Sequence, residues 1–490
     1  MFVPMPRRHL LILLAAFSVS VAVRWPLLNR PLSGHHELCT ALVLIALHNW
    51  QHLGFLAHHG APAITFTGPA DLIPSGYTDA PAQRDGVLYY LSHPPLAFDL
   101  PFALFTITGA EPNALGLQLF NLFFHLLTTW ALYLIVRELR NEGPAPLFAV
   151  LLYLFMPAPL WFHGNVYMSD LFVQNAWVWH VLVVLRMYRM NASSWRWPFL
   201  AGATLFVTTL ISWPGVWAGT VLFGIAALRW WHSRDRHELG IMAAALIGVG
   251  TALLFTAWRW LQVVDADALL AYFSGRFAER GTVAAPGLFS MLGTLALNYR
   301  ISWLPLLLPL ALLLWKRKMT RLSTAPLRLF LALTGLPVVL ELFFLLEYTG
   351  HDFTALKAGP LLCGLAGLGL SAIPERRARP ALLATCAAGV LYFYRTNPIG
   401  SRTDPRFTWP RDQGLAIARE ARPDEMVFTL GFTPEPQVQW YAKRTLFRVD
   451  DVRRAQELLR AAGQPKGIIF RELDGGLTAD RMRLESATQE

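Results

Sequence analysis

The segment Arg30-Pro-Leu-Ser-Gly-His-His-Glu37 puts two kinds of charge and two imidazoles directly after the first apolar run. Ionisable groups kept beside a membrane helix are expensive, and they mark chemistry or transport by default. Further acidic and basic residues stand at the ends of later apolar runs: His93, His163, Asp170, Arg276, Arg280, Arg300, Glu347, His351, Asp352 and Lys357. A carboxylate such as Glu37 or Asp170 at a lipid–water boundary can take a proton from a hydroxyl or help to hold a divalent ion. Arginine and lysine near the same plane suit a phosphate or pyrophosphate, whose oxygens they pair with.

Each of these residues also has a plainer use. An acidic side chain suits the N-terminus of a helix, so Glu37 and Asp170 can be caps. Gln174, one turn beyond Asp170, keeps that face polar and favours a cavity. His35 and His36 suit a solvated loop, His351 and Asp352 suit loop solubility, and Lys357 can extend outward from its span. Pro94-Pro95 breaks a helix. Trp177, Trp179, Trp213 and Trp217 suit interfacial anchoring and packing. The functional signal lies in the set.

The elements that must position this set are membrane helices. Of 490 residues, 54% are hydrophobic and 15% charged, against roughly a quarter charged in soluble proteins; mean hydropathy is +0.39. Apolar runs cover about 9–28, 114–136, 146–162, 169–186, 198–212, 214–231, 240–260, 301–315, 327–346, 355–373 and 379–394, and each is read as a span of the ~30 Å hydrocarbon core. The clusters Arg7/Arg8, Arg137/Arg140, Arg186/Arg189/Arg196, Arg229/Arg236, Lys316/Arg317/Lys318/Arg321 and Arg376/Arg377/Arg379 then fall on one side. The positive-inside rule makes that side cytoplasmic, which uses the net charge of +10 for orientation and argues against a nucleic-acid partner. The first run is read as a retained helix, because no small-residue cleavage site precedes Arg24 and Trp25. Cys39, Cys363 and Cys386 have no metal-type spacing and are expected as free thiols.

Pro94 to Thr108 is apolar but short, with Asp99 and Pro101, and is expected to lie along the outer face. Residues 29–113 then form one large external loop, with an interfacial helix over Cys39–Leu56 and an irregular stretch over Gly60–Gly86. After Tyr394 the chain turns polar. Helices are expected over Asp412–Ala421 and Asp451–Ala462, and strands over Met426–Gly431, Thr445–Val449 and Gly467–Arg471. The fold class is therefore an all-α polytopic membrane bundle of about 11 transmembrane helices with a small C-terminal α/β soluble domain. Residues 1–394 form the membrane module and 395–490 the extracytoplasmic domain.

In this order of features the chain resembles the integral-membrane glycosyltransferases of the GT-C fold, the broad group that includes the protein O-mannosyltransferases and the aminoarabinose transferases of lipid A. Four features carry the resemblance: Gly34-His35-His36-Glu37 after the first span, Tyr89-Tyr90-Leu91-Ser92-His93-Pro94-Pro95-Leu96 in the large loop, Asp170 opening the fourth span, and His351-Asp352 to Lys357-Ala358-Gly359-Pro360 at a late span. The resemblance implies sugar transfer from a polyprenyl-phosphate donor to a glycan, lipid or protein acceptor of the cell envelope. The place implied is the outer face of a bacterial cytoplasmic membrane, with the N-terminus inside. It implies Glu37 as the principal catalytic carboxylate and Asp170 as the second. Lys357, Arg276, Arg280 and Arg300 would hold the donor phosphate, supported by His36, His93, His163, His351 and Asp352. Many members have Asp-Glu where this chain has His36-Glu37, so a divalent cation is allowed for but no ligand is assigned. A transporter or flippase of lipid-linked saccharide is the alternative; it calls for ionisable residues at mid-bilayer and internal repeats, and the spans show little of the first and none of the second. A non-catalytic scaffold for envelope assembly is a third.

Overall fold

The computed structural model describes residues 5–34, 36–78, 80, 82–140, 143–190, 194–281, 287–316, 324–397, 403–473 and 476–484. His35 of the first motif and Arg317, Lys318 and Arg321 of one basic loop lie outside the described residues.

A backbone surrounded by hydrocarbon must satisfy its own polar groups, so long apolar runs fold as helices. The first are α1 (Arg7–Val23), α2 (Glu37–Leu53), α3 (Leu96–Thr108), α4 (Ala114–Leu139), α5 (Ala145–Phe155) and α6 (Pro157–Asn165). Next come α7 (Ser169–Arg189), α8 (Arg196–Ile211), α9 (Pro214–Ser233), α10 (Arg236–Trp260), α11 (Ala266–Arg280) and α12 (Leu288–Trp303). They are followed by α13 (Leu307–Lys316), α14 (Thr324–Phe344), α15 (Gly359–Leu370) and α16 (Glu375–Thr396).

The protein is a membrane protein, mostly helical. Five described stretches are long and apolar enough to cross a bilayer: Ala114–Leu139, Arg236–Trp260, Phe289–Trp315, Ala325–Phe344 and Asp352–Leu370. The pair α5 and α6, bent by 58°, makes a sixth if counted as one broken span. The bend follows from Pro157. Its ring removes a helical N–H donor and pushes Met156 into extended backbone, at φ −79° and ψ 151°. The other runs expected to span are helical but fall below that standard of length and apolarity. On α10, Leu246, Ile247 and Leu254 are exposed, as suits a helix whose outer surface meets lipid.

The chain divides into two compact units. One holds residues 1–28, 118–256 and 275–399, and the other holds 29–117, 257–274 and 400–490. In the first, α15 lies close against α5. A side chain at Gly367 would strike the backbone of Ala149, so the approach depends on glycine there. Arg24, fully buried at the end of α1, spends all five guanidinium N–H groups on the carbonyls of Ser20, Pro159 and Leu160, the Ser20 hydroxyl and the His125 ring. It fastens α1 to the start of α6.

The second unit is built on the chain's C-terminal segment. There α17 (Pro405–Glu420), α18 (Pro436–Ala442) and α19 (Val452–Ala461) accompany β3 (Met426–Leu430), β4 (Leu446–Val449), β5 (Lys466–Leu473) and β6 (Gly476–Arg483); the earlier strands β1 (Gln83–Arg84) and β2 (Val87–Leu88) form a hairpin in the first loop. The order is β4-β3-β5-β6, parallel except for β6. Successive side chains point to opposite faces of a strand. Met426 and Phe428 accordingly pack with α19, and Val427 packs with α17 and α18. Strand β6 and helix α18 were not foreseen from the sequence.

The first loop completes this core. Ala70 and Ile73 pack with Met426, Phe428 and Phe447. Asp71 accepts hydrogen bonds from Arg444 Nε at 2.9 Å and the Thr445 backbone N–H at 2.8 Å, while Arg444 also donates to the carbonyls of Arg422 and Glu425. In the same unit Arg259 grips Asp99 with both terminal nitrogens, at 2.5 and 3.0 Å, and also donates to the Gly60 carbonyl. Gly60 has φ +71° and no room for a side chain beside that guanidinium.

Removing one member of a buried ion pair costs about 3–5 kcal/mol. Arg444→Met is therefore expected to raise hydrogen exchange in 66–78 and in 445–449 together. A rise in only one segment would show that Asp71 does not couple them.

Candidate active site

Glu37 opens α2, in the second unit, and its carboxylate faces back over the segment that precedes the helix. Oε1 accepts from Arg30 Nη2 at 2.5 Å, and both side chains are 2% exposed. Oε2 accepts from the Ser33 hydroxyl at 2.7 Å and from the Ser33 backbone N–H. Three of the roughly four acceptor positions of a carboxylate are thus filled. The intervening turn requires His36 to adopt the left-handed region, at φ 64° and ψ −1°. Such backbone in a residue with a side chain is strained and clusters at functional sites. The turn is held from the C-terminal segment: Tyr441 Oη accepts from the Leu32 N–H at 2.8 Å, Gln437 donates to the Ser33 carbonyl, and Arg30 stacks 4.7 Å from the Phe407 ring centre. His93 is buried in the same unit, with its ring 5.9 Å from that of Tyr90.

The first unit contains the other carboxylate. Asp170 stands in the first turn of α7, where Lys357 Nζ donates to its Oδ1 at 3.0 Å. The same ammonium donates to Glu341 Oε1, on α14, at 2.7 Å. These three side chains are only 2–3% exposed. Lys357 was expected to meet a donor phosphate; here its ammonium serves two carboxylates. Glu341 is the partner that sequence reasoning missed. Its place inside an apolar run was visible, but nothing local shows which cation it faces.

Lys357 lies on irregular backbone, two 3₁₀ turns over Leu346–Gly350 and Asp352–Ala358. Such backbone survives in apolar surroundings only when its carbonyls find donors. Asn298 donates to Thr349 O at 2.9 Å, Trp303 to Ala355 O at 2.9 Å, and Gln174 to Leu356 O at 2.7 Å. The polar face on which Gln174 and Asp170 were placed together therefore holds the lysine's own segment. Tyr348 links this group to a second one. Its ring centre is 5.3 Å from Lys357 Nζ, and its hydroxyl accepts from Arg280 Nη1 at 3.1 Å. Glu347 lies 3.6 Å from Arg280 Nε and 3.2 Å from His351 Nε2.

The other expected site residues make contacts of their own. Arg276 pairs with Glu279 on its own helix at 3.2 Å. Arg300 is exposed on α12. Asp352 begins the second 3₁₀ turn, half-buried. His163 meets the Lys357 segment through Gln174, with Tyr153 Oη at 3.3 Å and Gln174 Oε1 at 3.2 Å, and its ring stacks on His125 at 4.3 Å. Among the described residues, neither Glu37 nor Asp170 belongs to a group of three histidine, cysteine or acidic donors close enough to share a metal ion.

Lys357→Met is expected to cost about 3–5 kcal/mol by leaving two buried carboxylates without their ammonium. Adding Asp170→Asn and Glu341→Gln should recover most of it, as measured by thermal unfolding in detergent. His36→Gly should be neutral for stability and His36→Val should lower it by about 1–3 kcal/mol; equal stability of the two would mean that the turn is unstrained.

No family model and no curated protein matches the chain in sequence. Solved structures match it in fold. ArnT from Cupriavidus metallidurans, bound to undecaprenyl phosphate, is 13% identical with a TM-score of 0.63, over 94% of this chain and 93% of that one. The oligosaccharyltransferase AglB from Archaeoglobus fulgidus, in complex with an inhibitory peptide and a dolichol-phosphate, is 12% identical with a TM-score of 0.58, over 95% and 69%. The Archaeoglobus fulgidus oligosaccharyltransferase in complex with Zn and sulfate is 14% identical with a TM-score of 0.55, over 94% and 68%. The chain has the GT-C fold of these proteins, the fold that its ordered motifs had suggested.

Proposed function

We propose that the protein is a membrane glycosyltransferase that moves a sugar from a polyprenyl-phosphate donor to a hydroxyl of a cell-envelope glycan, lipid or protein. The supporting observation is the fold it shares, over 94% of its length, with ArnT, which was crystallised with undecaprenyl phosphate. The proposed place is the outer face of a bacterial cytoplasmic membrane. About eleven spans, six basic clusters inside and an external 395–490 segment would complete that arrangement.

In the proposed step the acceptor oxygen attacks the sugar's anomeric carbon as the bond from that carbon to the phosphate oxygen breaks. The polyprenyl phosphate leaves with the bonding electrons, and the hydroxyl proton passes to a carboxylate. Glu37 is the proposed acceptor of that proton. Asp170 would orient the acceptor. Arg280, with Arg276 and Arg300, would stabilise the charge gathering on the leaving phosphate. Lys357 becomes a positioning residue that fixes Asp170 and Glu341. No step is assigned to a metal ion.

The test is transfer from a labelled polyprenyl-phosphate sugar pool by purified protein in detergent. Glu37→Gln is expected to lower turnover by about 10²–10⁴-fold, the usual worth of a general base. Asp170→Asn should lower it too, and Arg280→Ala should raise the KM for donor. Unchanged turnover in both carboxylate variants would remove the assignment.

A further inference from the structure

On α2, about three turns beyond Glu37, two imidazoles and a carboxylate meet for which the transfer reaction has no use. His48 and His52 are four residues apart, so they share one face of the helix, and their ring centres are 4.1 Å apart. Glu111, from the connection between α3 and α4, brings Oε2 to 3.6 Å from His52 Nε2. One donor atom from each of the three lies within 4.8 Å of the others. We propose that His48, His52 and Glu111 bind a divalent transition-metal ion of zinc's chemistry, at a site separate from Glu37 and Asp170.

Bonds of about 2.0–2.1 Å at a tetrahedral angle separate their donors by about 3.3 Å. The His52–Glu111 pair is already near that separation. Closing the rest needs about an ångström of movement, which is small for side chains that are 50% and 67% exposed. Neighbouring contacts preset the group. The edges of Phe66 and Trp440 confine the His48 ring, at 5.6 and 6.2 Å between centres. Asn113 donates to the Glu111 carbonyl at 2.8 Å and accepts from the Gly116 N–H at 2.8 Å, which fixes the backbone that carries Glu111.

Two imidazoles with one carboxylate select zinc-like ions over magnesium or calcium, which prefer oxygen throughout. Three protein donors leave a fourth position for water. The bound ion would clip the last turn of α2 to the segment that enters α4, beside the bond from Gln51 to the Ala110 carbonyl. Lys443 also acts electrostatically on His48 and Glu111 and opposes a cation there.

The full-length protein, stripped with chelator, is titrated with Zn²⁺ alone by calorimetry, and with Co²⁺ by visible absorption. One equivalent is expected, with the intense absorption of a tetrahedral site. His48→Ala and Glu111→Gln should each weaken binding at least tenfold, Lys443→Met should tighten it, and Glu37→Gln should leave it unchanged. Circular dichroism identifies any variant that fails to fold, and His52→Asn then stands in for it. Binding that survives both the His48 and Glu111 changes, or that disappears with Glu37→Gln, overturns the proposal.

Discussion

A lysine ammonium removed from water must be matched by negative charge, and here two carboxylates from different helices match it. Lys357 joins Asp170 at the start of α7 to Glu341 within α14. A buried charge without its partners is far more damaging than a lost surface contact. The positions of α7, α14 and the irregular 346–358 segment are therefore linked through one nitrogen atom. Asn298, Trp303 and Gln174 hold the same segment through its carbonyls. Together they give non-helical backbone a fixed shape among apolar helices. Tyr348 carries that order on to Arg280 and Glu347.

The second unit meets the same requirement by other means. Glu37 is held by an arginine seven residues earlier and by a serine four residues earlier, so its setting is local. That local turn is in turn braced by Gln437 and Tyr441. A carboxylate with most of its acceptor positions filled is fixed in orientation, and groups so fixed need little reorganisation.

Periodicity and length made the helices legible, because apolar runs in a bilayer have few alternatives to helix. Three of the four strands of the C-terminal sheet were also legible from their β-branched and aromatic residues. Strand β6 was not: Gly476–Arg483 is mostly polar, and its place as a strand comes from pairing with β5 along its length. The bend at Met156 was foreseeable in principle from Pro157, but the run reads as one span because its hydropathy is continuous. Asp170 and Lys357 were both identified, yet 187 residues separate them in sequence and nothing local announces their pairing. Arg30 lay in the quoted segment, but its bond to Glu37 depends on the left-handed turn at His36. His48 and His52 were visible as residues of an interfacial helix, whereas Glu111 comes from a separate connection.

The bond between Asp71 and Arg444 spans 373 positions. Ribosomes add roughly 5–20 residues per second, so the first partner waits on the order of half a minute for the second. Through that interval Ala70 and Ile73 have no sheet to cover, and the loop that carries them must stay unaggregated. Such distant pairings make folding slow. Biogenesis of this protein thus depends on whatever shields its early-emerging segment until the last hundred residues have been delivered to the same compartment.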